Sequence, residues 1–275
     1  MRFVKQLVVV VVVSFVGGAG VQALGWNWPL TLVAGFLAAA LALAAYAWVV
    51  RRTERREATE VSWKTAPGAL ARGVLIGLAM FAAVIANIAF LGGYEVRGWG
   101  SATGAIAILG FMVAVAVTEE LLYRGVLFRI AEEKLGTWLA LVLSGLVFGF
   151  AHIFNPNATV WSSVAIAIEA GLMLGAAYVA TRTLWVPIGV HFAWNFAQGG
   201  IFSTSVSGQD APEGLLDGVT SGPAIVTGGG FGPEASAYSV LAGVVVTVAF
   251  LWLAKRRGNL VPRRGRAVPA ATLGA

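Results

Sequence analysis

The chain has 275 residues, of which 58% are apolar and only 12% are charged. A soluble domain of that size would show amphipathic periodicity and a charged surface. The apolar residues here arrive instead in blocks long enough to cross a bilayer, for which about 20 in a row suffice. Cysteine is absent, which excludes disulfides, a thiol nucleophile and thiolate metal sites.

In chain order the apolar runs centre on residues 7–23, 29–50, 73–91, 102–117, 138–154, 160–180, 185–202 and 238–254. They predict an all-α fold, a polytopic transmembrane helical bundle of about eight spans. Arg2 and Lys5 ahead of the first run, and small residues at its end, imitate a secretory signal. A second span follows almost at once, so the first run reads as a retained span. The organisation is three spans with a basic connection (1–100), four spans (101–202), a long loop (203–236), and a last span with a basic tail (237–275). The loop is rich in Gly, Ser and Pro, and its charges are the acidic Asp210, Glu213, Asp217 and Glu234.

The net charge of +6 is placed by topology. With the N-terminus cytoplasmic and the spans alternating, Arg51, Arg52, Arg55, Arg56, Lys64, Arg72, Arg129, Lys134, Arg182 and the tail from Lys255 to Arg266 fall inside, and Arg97 alone falls outside. That is the positive-inside pattern. It predicts a multi-pass protein of the plasma membrane with both termini cytoplasmic, whose basic partner is the lipid bilayer and not nucleic acid. Trp26, Trp28, Trp99 and Trp185 fit an interfacial aromatic belt, and Asn87 reads as a hydrogen bond between helices.

Charges inside the hydrocarbon are expensive, so each is a candidate functional residue. The fourth span runs into Thr118-Glu119-Glu120-Leu121-Leu122-Tyr123-Arg124-Gly125, the fifth ends Phe148-Gly149-Phe150-Ala151-His152, and the seventh carries His191-Phe192-Ala193-Trp194-Asn195. Neighbouring residues on a helix point about 100° apart. Glu120 therefore shares a face with Arg124 and forms a structural ion pair, while Glu119 is left as the free carboxylate. A turn near Lys134–Gly136 would make spans four and five an antiparallel hairpin with Glu119 and His152 side by side. His191 and Asn195, at i and i+4, add a third wall. Glu, His, His and Asn together can activate a water and hydrogen-bond an oxyanion. Phe148 reads as packing support. Glu169, in the sixth span, has no role that the sequence decides.

Glu-Glu-x-x-x-Arg, Phe-x-x-x-His and His-x-x-x-Asn, in this order, resemble the three signature motifs of the CPBP family, the intramembrane proteases that include type II CAAX prenyl endopeptidases and bacteriocin-processing or immunity proteins. The resemblance runs from Glu119 to Asn195. It implies a metalloprotease-like hydrolase acting on a membrane-associated peptide or protein substrate, in bacteria to judge by the Ala, Val and Gly richness. Glu119 would be the general base, His152 would hold or share its proton, His191 and Asn195 would bind the water or metal or stabilise the oxyanion, and Glu120 and Arg124 would support them. Two arrangements stay open. Either His152, His191 and Glu119 hold Zn2+, or a Glu–His pair activates water without metal. A transporter and a non-catalytic scaffold or immunity protein are the competing functions.

Overall fold

A computed structural model describes residues 1–263; Arg264 and Arg266 of the basic tail, like the rest of 264–275, lie outside the described residues. Helix α1 spans Arg2–Gln22, α2 Trp28–Glu54 and α3 Ala66–Phe90. Strand β1 (Tyr94–Trp99) precedes α4 (Ala102–Glu120), which continues through a wide π turn, Leu121–Phe128, into α5 (Arg129–Ala151). Then come α6 (Val160–Ile166), a second π turn (Ala167–Leu172), α7 (Met173–Thr181), α8 (Trp185–Asn195) and a third π turn (Phe196–Ile201). Strand β2 (Leu216–Thr220), a single helical turn α9 (Ala224–Thr227) and α10 (Ala237–Arg256) complete the order.

Several starts are written in the sequence. Asn27 accepts from Leu30 N ahead of Pro29 in α2, Ser101 from Gly104 N in α4, and Ser236 from Ser239 N in α10, while Thr159 and Ser162 form a reciprocal capping box on α6.

Among the described residues six helices are long and apolar enough to cross a membrane. One of them, Ala102–Phe154, is folded in two at Gly136, whose φ of 75° and ψ of 167° break the helix. With its two arms taken separately and the shorter α8 added, every apolar run has its helix, and the all-α membrane bundle stands. Small residues set how closely the helices approach. A Cβ at Gly73 or Gly77 would come within 2.4 Å of the carbonyl oxygens of Val186 and Val190, so α3 lies backbone to backbone on α8. Gly35 and Gly110 join α2 to α4 in the same way.

The two ends of the bundle differ in charge. At one end Arg129 donates to Glu54 (2.8 Å) and to Gln6 of α1 (2.8 Å), Arg56 to Glu60 (2.9 Å), and Arg182 reaches Glu132. Thr137 N meets Val261 O there, so both described chain ends lie on this side. At the other end β1 and β2 form an antiparallel ribbon, Asn155 Nδ2 donates to Ser207 O (3.0 Å), and Trp161 Nε1 donates to Ala235 O (2.8 Å). Much of the acidic 203–236 segment is therefore ordered against the helix ends, and Arg97 lies on its ribbon.

Three sequence expectations need correction. Trp185 is buried, donating Nε1 to Ser62 O, so it packs inside the protein and not in an interfacial belt. Asn87 is exposed and bonds back to Ala83 O of its own helix. His152 lies on the short turn His152–Phe154 just past α5, and not within the helix.

Candidate active site

The hairpin at Gly136 sets residues before and after it at matching depths. Tyr123 meets Phe148 edge to face at 4.8 Å, and the Arg124 guanidinium lies 4.5 Å from the centroid of the same ring. Arg124 is 1% exposed. Its Nη1 donates to Glu120 Oε1 (2.7 Å) and its Nη2 to Ala170 O (2.9 Å) and Gly171 O (3.1 Å) in the second π turn. The guanidinium thus ties α4, α5 and the Ala167–Leu172 turn together, with Phe148 as the plate beneath it.

Glu120 does more than pair with Arg124. Its Oε1 also accepts from His191 Nδ1 at 3.0 Å. That bond fixes the imidazole and points Nε2 toward Glu119, whose Oε2 stands 3.9 Å away. The gap is too long for a direct hydrogen bond, and Oε2 is buried without a partner. The neighbouring glutamates therefore serve one histidine from its two sides. His152 is held likewise, its Nδ1 bonding Phe148 O at 2.8 Å, which leaves Nε2 unengaged. Its ring lies 4.9 Å from that of Phe148. His152 makes no ion-pair contact with Glu119, so of the two histidines it is His191 that stands beside the carboxylate.

Glu119, His152, His191 and Asn195 all line one cavity of about 370 Å³. Asn195 lies one turn beyond His191 on α8, where the third π turn begins. Wide turns also follow Glu120 and contain Glu169; interruptions of this kind gather at functional sites. For the zinc arrangement the donors are only partly gathered: among the described residues no three His, Asp or Glu side chains stand close enough to share one ion.

Two walls of the cavity were not read from the sequence. Ser207, Gln209, Asp210 and Glu234 of the 203–236 segment close it from the acidic end. Glu234 is buried, its Oε2 accepting from Ser207 N and Oγ at 2.8 Å each. Burial pushes its carboxyl up from the ordinary value of 4.5, with the Ser207 bond and His152 opposing. Glu169 also lines the cavity, 1% exposed, with Oε2 unbonded. The loop composition gave no hint of this folding back, because its contacts reach across the chain to Asn155, Pro156 and β1.

Residues 101–197, which hold all three motifs, match the family described as type II CAAX prenyl endopeptidase Rce1-like. No curated protein and no solved structure matches the chain. The matched stretch, which is similar to that family, also contains the motifs that resemble the CPBP signatures.

Proposed function

We propose that the protein is an intramembrane endopeptidase that hydrolyses peptide bonds of membrane-associated peptides or proteins with a water activated by Glu119. The observation that carries this reading is the 3.9 Å space between Glu119 Oε2 and His191 Nε2, walled by the Glu120 bond that fixes His191. A water there donates to the carboxylate and to the bare Nε2, and turns a lone pair on the substrate carbonyl. Glu119 takes the proton as the bond to carbon forms and passes it to the leaving amine. The Asn195 amide and His152, on other walls of the cavity, supply polar contacts to the developing oxyanion. Zinc held by His152, His191 and Glu119 would serve as Lewis acid. The donor geometry does not gather around one point, so every step above belongs to the chain's own residues.

The cavity lies at the acidic end of the bundle, away from the cluster around Arg129, Arg56 and Arg182. By the positive-inside rule that end is extracytoplasmic, in the plasma membrane, with both termini cytoplasmic. The substrate is then a membrane peptide or protein segment reached from the outer half of the bilayer. Cleavage of quenched membrane peptides by purified wild type, absent in Glu119→Gln, tests the peptidase. Loss on chelation, restored by zinc, would add the metal to it.

A further inference from the structure

The cavity is lined by four carboxylates, Glu119, Glu169, Asp210 and Glu234, and among the described residues no Lys or Arg lines it. The nearest guanidinium, Arg124, is committed to Glu120, two carbonyls and the Phe148 ring. Glu234 is held by Ser207. Glu169 is almost fully buried and lines the cavity, and like Glu119 it has an Oε2 bonded to nothing, with no histidine beside it. Its backbone is fixed by α10, since a Cβ on Gly243 would come within 2.4 Å of Glu169 Cα. A buried carboxylate persists in a membrane protein when a partner of opposite charge satisfies it.

We propose that the missing partner comes from the substrate: the cavity receives a lysine or arginine side chain, whose cationic head is bound by Glu169 with Glu234 and Asp210 beside it. Asp210, exposed at the rim, is the first of these carboxylates that an entering cation meets. Glu169 is then a specificity-determining residue, separate from the Glu119–His191 pair that handles the water. An uncharged isostere of lysine loses the contact and leaves the carboxylate unpaired, and such polar mismatches are where sites discriminate most strongly. The inference rests on the peptidase reading only in taking the ligand to be a peptide.

The test is equilibrium binding of fluorescent apolar peptides to full-length Glu119→Gln protein in detergent. Lysine is placed at each position in turn and compared with norleucine at the same position. The expected result is one position at which lysine binds at least tenfold tighter, with that preference abolished in a Glu119→Gln, Glu169→Gln double variant and reduced in Glu119→Gln, Asp210→Asn. Should Glu169→Gln misfold, the Asp210→Asn variant, at an exposed position, carries the comparison. Equal binding of lysine and norleucine peptides everywhere overturns the proposal. So does a lysine preference that survives Glu169→Gln and Asp210→Asn, as it would if Glu169 only held a proton. Cleavage by wild type without any preference for lysine overturns the proposal and leaves the peptidase standing. Lysine-dependent binding without any cleavage keeps the cation site and removes the peptidase.

Discussion

Glu119 and Glu120 differ by one position in the chain and by everything in their surroundings. Glu120 is fully buried between Arg124 and His191, whereas Glu119 lines the cavity and its Oε2 has no hydrogen-bond partner. Removing Arg124 strands a buried carboxylate, a loss of about 3–5 kcal/mol. Arg124→Ala is therefore expected to lower the thermal midpoint sharply in detergent, and an unchanged midpoint would contradict the structural role of the pair. Glu120→Gln keeps the size and removes the charge that sets the His191 tautomer. It should reduce kcat by at least about tenfold with little change in KM, measured on any cleaved peptide. The sequence separates the two glutamates because helical geometry alone does so. It does not reveal that Glu120 reaches His191, a partner on another helix.

At the level of helices and turns, the hairpin was legible and the wide turns were not. Equal spacing of Glu119 and His152 about a turn at Gly136 follows from counting residues along two helices, and the Tyr123–Phe148 contact realises that symmetry. The π turns at Leu121–Phe128, Ala167–Leu172 and Phe196–Ile201 have no periodicity of their own, and β1–β2 pairs segments far apart in the chain. The Gly73 and Gly77 contacts make a direct prediction. A leucine at Gly77 would collide with the Val190 carbonyl and the Ala193 methyl. Gly77→Leu should cost about 1–3 kcal/mol or more, seen as a lowered thermal midpoint, and should shift α8 and with it His191, so that activity falls too.

Across the whole molecule, charge separates the two ends. At the basic end Glu60 is buried. Burial would push its carboxyl up from 4.5, and hydrogen bonds from Arg56 and Tyr46 outweigh that and hold it below. A carboxylate lowered in the folded state contributes stability above its unfolded value, and that contribution is lost as pH falls through the folded value. The difference in thermal midpoint between wild type and Glu60→Gln should hold steady from neutral pH to about 4.5 and shrink below it. Orientation is testable because the chain has no cysteine. A cysteine at Gln209 should react with an impermeant maleimide on intact cells, and one at Lys64 should not; the reverse pattern would turn the cavity to the cytoplasm. Composition and the placement of Lys and Arg made the bundle and its polarity readable from the start. The acidic segment that roofs the cavity was unreadable, because Glu234 and Asp210 reach it only through long-range packing.

The most direct measurement is cleavage of a quenched membrane-peptide library by purified wild type and Glu119→Gln, each with and without a zinc chelator. Product is expected from wild type and none from Glu119→Gln, with equal thermal midpoints for the two proteins. Product from Glu119→Gln at the wild-type rate would contradict the assignment of Glu119 as the base that activates water.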